Sequence, residues 1–334
     1  MDPNEPGDAR LDPSDSPAFI PTGLLPTPNE IAAARAYVDA SRAASTLRGY
    51  TTDWRQFARW CRDRGGDALP ASPALVAVYL ASLADRGLAP PSVARALAAI
   101  GHAHKRAGHP PPHRAADGTI IADALAGIRR ARTTPPGRKD AADADIVMQL
   151  LWSISGDDLP ALRDRALLAF GMALAARRSE LVALDVADLA WEPKGVRVTI
   201  RRSKTDQEGQ GVAVAVPEGR RLTPLVHLRA WLETAGITEG PIFRPFWKGG
   251  RLRPVRLSDH AVARIVQARA AAAGLDPARF AGHSLRAGFV TEAARSGADI
   301  WKIQQVSRHK SMQVLSGYVR DARLFDDHAG TPFL

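Results

Sequence analysis

Four short clusters in the second half of the chain gather side chains that could act together on a charged substrate. They are Ala176-Arg177-Arg178-Ser179-Glu180-Leu181, Arg202-Ser203-Lys204-Thr205, His283-Ser284-Leu285-Arg286, and Ser307-Arg308-His309-Lys310 with Tyr318 beyond it. Taken singly, each is commonplace: a lone His-x-x-Arg occurs widely, and an isolated Tyr318 reads first as a half-buried aromatic with a wet hydroxyl. As a set they offer guanidiniums that fork onto phosphate oxygens, imidazoles and an amine that move protons, and a phenol that can serve as nucleophile. No metal cluster accompanies them in the sequence.

The elements that must position these groups are mostly helical. Hydrophobic periodicity and capping signals predict helices at Asp145–Ser155, Leu162–Ala175 and Ser179–Leu184. Val196–Ile200 alternates with period two and pairs with Val212–Val216 across a loop containing Gly209. Helices resume at Pro224–Ala235, Ser258–Ala273, His283–Ser296 and Ile300–Val306, and no element is assigned beyond. Arg177 and His283 therefore sit at helix starts, and Lys204 in the turn after the first strand.

Ahead of this region, residues 29–133 read as an all-α module. Helices are expected at Asn29–Ala40, Ser45–Arg64, Ala74–Asp85, Val93–Arg106 and Ile120–Arg132, and Leu47, Tyr50, Trp54, Phe57 and Cys61 recur at spacings of three and four. Paired prolines and a glycine in Thr133-Thr134-Pro135-Pro136-Gly137-Arg138-Lys139 interrupt both periodicities, so 134–142 is expected to be a linker and 143–334 a second domain. Residues 1–28 carry seven prolines and mostly acidic charge, the composition of a disordered tail.

A chain of 334 residues with 45% hydrophobic content can bury two ordinary cores without staples. Its net charge of +10 suggests a polyanionic partner, because Lys and Arg gain affinity by displacing counterions from phosphates. The single cysteine, Cys61, cannot make an intramolecular disulfide and reads as a small residue packed beside Trp60. No apolar run is long enough to span a bilayer, and the start of the chain lacks the plan of a signal peptide, so a cytoplasmic, nucleoid-associated protein is expected. His102, His104, His109 and His113 suggest a metal by number only. His102 and His104 point to different helix faces and the other two flank a proline run, so no metal is expected.

In order and spacing the four clusters resemble the tyrosine recombinase, or phage integrase, family, whose catalytic domain presents Arg, Lys, His-x-x-Arg, His or Trp, and Tyr. The resemblance spans roughly residues 145 to 325 by motif, and the preceding helical module matches the family's core-binding domain in size and character. The stretch His102-Ala103-His104-Lys105-Arg106-Ala107-Gly108 is similar to the Cre-like branch. The resemblance implies a mainly α fold with a small antiparallel sheet, and a site-specific recombinase that cleaves and rejoins DNA through a 3′-phosphotyrosine intermediate and a Holliday junction. Tyr318 would be the nucleophile. Arg177 and Arg286 would fork onto the non-bridging oxygens of the phosphorane, where lysine cannot reproduce the geometry, and His309 would add a donor.

The same resemblance makes His283 the base for the Tyr318 proton; a neutral His283 that only hydrogen-bonds a phosphate oxygen is the alternative. Lys204 falls where the family's hairpin lysine belongs and would protonate the leaving 5′-oxygen, unless it is merely an exposed turn lysine. Glu180 matches an acidic position that orients the site, against the plainer reading of a carboxylate at a helix N-terminus. Arg178 reads as a solvated charge or a backbone-phosphate contact. Arg95, Lys105, Arg106, Arg129 and Arg130 are candidate DNA contacts, some of which will be outer-face charges. No cofactor is expected, since the phosphotyrosine bond stores the ester's energy. The partners implied are double-stranded DNA and sister subunits in a tetramer on two synapsed sites. The tail containing Leu324-Phe325 and Pro332-Phe333-Leu334 would dock on a neighbour or on its own domain. A type IB topoisomerase and a non-catalytic DNA-binding regulator are the competing readings.

Overall fold

The computed structural model describes residues 26–131, 139–201 and 211–322. The acidic leader, the Pro135-Pro136 segment, Lys204 and the apolar tail lie outside them. The chain divides into two compact units, Met1–Pro136 and Gly137–Leu334.

The first unit is helical: α1 (Pro28–Ala40), α2 (Ala44–Arg62), α3 (Pro73–Asp85), α4 (Pro90–Arg106) and α5 (Thr119–Ala131). Side chains set the helix starts. Thr27 and Glu30 cap one another's backbone at α1, and Ser72 accepts from the Leu75 amide ahead of Pro73 in the first turn of α3. Phe57 and Cys61 from α2 meet Val76, Tyr79 and Leu80 of α3, Val93 and Ile100 of α4, and Ile121 of α5 in the core. His104 is buried there as a structural group. Its Nε2 accepts from the Ala71 amide at 2.9 Å, which leaves Nδ1 to donate to the Ile100 carbonyl at 2.8 Å.

The second unit holds α6 (Ala144–Trp152), α7 (Leu159–Ala173), α8 (Arg178–Ala183), β1 (Leu189–Glu192), β2 (Gly195–Ile200), β3 (Val212–Pro217), α9 (Pro224–Thr234), α10 (Asp259–Ala272), α11 (Ser284–Arg295), α12 (Ile300–Ser307) and α13 (Met312–Ala322). The sheet is antiparallel in the order β1-β2-β3. Val196 opposite Val216 and Val198 opposite Val214 bury one face, and the alternation that marked these strands is this burial. The fold is thus mainly α with a small antiparallel sheet, as the sequence implies. No described helix is long and apolar enough to cross a membrane.

Two elements go beyond the sequence reading. β1 adds a third strand, so Lys204 follows the second strand of the sheet and not the first. The segment bearing Tyr318 is helical: α13 packs Leu315 against Val290 and Ala294 of α11 and Ile303 of α12, with Met312 and Val319 beside it. Ser311 starts this helix, accepting from the Val314 amide through its hydroxyl and from the Leu315 amide through its carbonyl.

The helix that carries Arg286 is held by backbone contact with the start of the unit. The Ala142 amide donates to the Ser284 carbonyl at 2.9 Å and the Asp140 amide to the Arg279 carbonyl at 2.7 Å. Gly288, one turn past Ser284, permits this approach, because a Cβ there would lie 1.7 Å from the Ala142 carbonyl oxygen. Gly288→Ala should therefore destabilise the protein by at least about 1–3 kcal/mol, the usual range for overpacking. Chemical denaturation checks this; an unchanged midpoint would show that the contact is dispensable.

Candidate active site

The site begins where α7 ends. Ala175 takes a left-handed conformation, φ 47°, and the Ala175 and Ala176 amides donate back to the Met172 and Gly171 carbonyls at 2.8 and 3.2 Å. This turn aims two carbonyls at guanidiniums. Ala175 accepts from Arg286 Nη1 at 2.9 Å and Arg308 Nη2 at 3.4 Å, and Leu174 accepts from Arg308 Nη1 at 3.3 Å. Immediately beyond the turn Arg177 opens α8, where Glu180 sits one turn in, only 2% exposed.

Glu180 joins two arginines. Its Oε1 accepts from Arg177 Nη1, while Oε2 accepts from the Arg177 amide at 3.0 Å and Arg308 Nη2 at 2.9 Å. Burial alone would raise the Glu180 carboxyl's pKa, but Arg308 and then the Arg177 bonds outweigh it and hold it below the usual range. Arg286, from the first turn of α11, is 1% exposed. Burial, with Arg177 adding repulsion, brings its pKa down to about 9, so it stays cationic at neutral pH. Its Nη2 is buried and has no hydrogen-bond partner among the described residues.

The remaining groups lie near enough to the Arg286 guanidinium to interact with it electrostatically. His283 precedes Arg286 at the start of α11. Its residue surface is exposed, yet the protein packed about the ring strips hydration from the imidazolium, and with Arg286 and Arg177 nearby its pKa is lowered. His309 lies in the turn between α12 and α13, its Nδ1 2.8 Å from the hydroxyl of the fully buried Ser307. If that hydroxyl donates, the ring proton sits on Nε2, free to serve as a donor. Burial, then Arg286, Arg177 and His283, push the His309 pKa down to about 4, so the ring is neutral at physiological pH. The Tyr318 ring, half-buried on α13, is 6.3 Å from His309 centroid to centroid, and its phenol is close enough to Arg286 to act on it electrostatically. Arginine forks, neutral imidazoles and a phenol thus converge from four separate stretches of chain, an arrangement suited to phosphoryl transfer.

Comparison with known proteins matches residues 143–323 to the phage integrase family. The chain belongs to that family. It is 38% identical over 302 residues to an integrase/recombinase xerD homolog of Selenomonas ruminantium, covering 89% of this chain and 87% of that protein. It is 26% identical over 287 residues to the recombinase cre of Escherichia phage P1, covering 80% and 81%. Among solved structures it resembles the XerH site-specific recombinase bound to palindromic difH substrate, with TM-score 0.61, 16% identity and coverage of 84% and 76%. It also resembles a lambda integrase(75-356) dimer bound to a COC′ core site, with TM-score 0.57, 19% identity and coverage of 88% and 95%. The chain is a site-specific tyrosine recombinase.

Not every candidate of the sequence stands in the recombinase's cluster. Lys204 falls outside the described residues. Arg178 pairs with Asp259 at 3.2 Å in the first turn of α10, off the Glu180 network. In the first unit Arg95 forks onto the buried Asp53 at 2.7 and 3.0 Å, whereas Lys105, Arg106, Arg129 and Arg130 are exposed. Arg308, to which the sequence assigns no role, has a side chain only 6% exposed.

The His309 shift carries a stability prediction. Its folded pKa, about 4 against an ordinary 6.5, means that the unfolded chain takes up a proton that the folded protein refuses. The contribution is complete above about pH 6.5 and is lost as pH falls toward 4. His309→Gln should flatten that decline in urea unfolding of the DNA-free recombinase. Parallel pH profiles for both proteins would assign the decline to other groups.

Proposed function

We propose that this recombinase cuts and rejoins duplex DNA by direct phosphoryl transfer to Tyr318, with Arg177, Arg286 and His309 stabilising the transition state. The observation that carries the reading is the buried, unpartnered Arg286 Nη2 in a cluster with Arg177, His309 and the Tyr318 phenol. A donor in that state forgoes a hydrogen bond in the free protein, and a non-bridging phosphate oxygen supplies one. In the reaction the Tyr318 oxygen bonds to phosphorus and the bond to the 5′-oxygen breaks. The phenol proton passes to His283, whose lowered pKa leaves it neutral and able to accept, and Lys204 delivers a proton to the departing oxygen. The product is a 3′-phosphotyrosine ester and a free 5′-hydroxyl. Attack by the 5′-hydroxyl of a partner strand reverses the step without external energy and passes through a Holliday junction.

Duplex DNA is the partner in several solved relatives, including the XerH complex with difH and the lambda integrase dimer on its core site. For this chain we place the exposed Lys105, Arg106, Arg129 and Arg130 among the phosphate contacts, and a tetramer on two synapsed sites as the working assembly. The tail beyond Leu324 serves to dock neighbouring subunits, and the cytoplasmic nucleoid is the setting.

A nicked suicide substrate tests the nucleophile. The unaltered protein should become covalently linked at Tyr318, and Tyr318→Phe should bind DNA with similar affinity yet form no adduct; an adduct on that variant would overturn the assignment. Lys204 is tested by chemistry at the leaving atom. Lys204→Ala should cleave roughly 10² to 10⁴-fold more slowly, the range for losing a general acid. Sulfur at the bridging 5′ position departs without a proton, so it should erase most of that defect while leaving the defect of Arg177→Ala in place. A Lys204→Ala defect that persists at full size on the sulfur substrate removes the general-acid role.

A further inference from the structure

We infer that Arg308 is a positioning residue for strand cleavage, neutralising Glu180 so that the Arg177 guanidinium stays available to the scissile phosphate, and fixing the turn that carries His309. The inference rests on the phosphoryl-transfer reading above.

Arg308 ends α12 in a left-handed conformation, φ 57° and ψ 41°, which a residue with a Cβ adopts at a cost. The same turn with glycine would be unstrained, so the side chain has a use that offsets the strain. That side chain does not face solvent. Its Nη1 donates to the Val306 carbonyl at 2.6 Å and the Leu174 carbonyl at 3.3 Å, and its Nη2 donates to Glu180 Oε2 at 2.9 Å and the Ala175 carbonyl at 3.4 Å. One guanidinium thus joins the end of α7, the start of α8 and the turn before α13.

Arg177 is held by Arg308 from two sides. Its Nη1 meets Glu180, which Arg308 shares, and its Nη2 donates to the Arg308 main-chain carbonyl at 3.3 Å. Without Arg308, the cation still hydrogen-bonded to the buried Glu180 would be Arg177, with Arg286 acting on it only through space. A carboxylate in that position draws an arginine into a two-oxygen fork, and Arg177 would turn onto Glu180 and away from the phosphate. Removing the Glu180 charge as well would release it. The Arg308 defect should therefore shrink when Glu180 is neutralised, which simple loss of packing would not do.

Single-turnover cleavage of a suicide substrate at saturating DNA is the measurement, with Kd determined at several salt concentrations. Arg308→Gly, which suits the left-handed turn, should cleave more slowly by up to roughly 100-fold, the cost of misplacing a catalytic group by about 1 Å. Its affinity and salt slope should match the unaltered protein's, since no phosphate contact is lost. Arg308→Gly with Glu180→Gln should recover a substantial part of the rate, and Arg308→Lys, which restores the charge but not the carbonyl network, should lie between. Full-rate cleavage by Arg308→Gly, or strictly additive losses with Glu180→Gln, would overturn the inference. A salt slope reduced by about 0.9 would make Arg308 a direct phosphate contact instead. Should Arg308→Gly not fold, the same three readouts on Arg308→Lys with and without Glu180→Gln decide the matter. Failure of the underlying reading is distinct: the unaltered protein would then form no Tyr318 adduct, whereas this inference is read from rate ratios among proteins that do.

Discussion

The second unit is organised around the need to hold like charges together out of water. Arg177, Arg286 and Arg308 act on one another electrostatically, and Glu180 is the carboxylate that opposes them. Two unit charges about 4 Å apart interact by about 4 kcal/mol at an effective dielectric near 20. Such a cluster opens unless opposite charge and oriented dipoles surround it. Here the dipoles are the carbonyls of Leu174, Ala175, Val306 and Arg308, each directed at a guanidinium. Two of the residues that present them, Ala175 and Arg308, are in left-handed conformations. Backbone strain sits where the charge must be met, as is common at functional sites.

That constraint explains features distant from the chemistry. Arg286 can be buried only if α11 is fixed, and α11 is fixed by the Ala142–Ser284 bond and the close approach at Gly288. Tyr318 comes to the cluster because α13 packs its apolar side on α11 and α12. His309 is oriented by a buried serine on α12. Each of these three groups is therefore placed by packing or by a hydrogen bond from behind.

Much of this was legible in the sequence, and what was not has identifiable physical causes. The long helices show their period, and the caps at Ser72, Asp143, Asp158 and Asp299 are the residue types that stop and start helices. β2 and β3 alternate because one face is buried. β1 is four residues long with Trp191 and Glu192 exposed, so it has no alternation to read. The helix of Tyr318 contains Gly317 and, among its described side chains, one that is fully buried, Leu315; its Ser311 start is the available signal. The motif residues stand out by order and spacing, but Arg308 does not, because a basic residue beside His309 looks like surface charge. Its burial depends on Glu180 and on a turn more than a hundred positions away, and no local pattern encodes that. Arg95 shows the same limit: nothing near it in sequence announces Asp53 as its partner.

The partition between satisfied and unsatisfied donors gives the site its directionality. Arg308 spends both terminal nitrogens on the protein, Arg177 divides its own between Glu180 and a carbonyl, and Arg286 leaves Nη2 without a partner. Burial first, and then the surplus of positive charge from Arg286 and Arg177, depresses both histidines. In the proposed reaction an entering phosphate acts on the histidines and on Arg286 at once. Its charge offsets the arginines, which raises the affinity of His283 for a proton just as the nucleophile must lose one, and its oxygens supply the missing acceptor. The proposed base thus gains basicity from the substrate it serves.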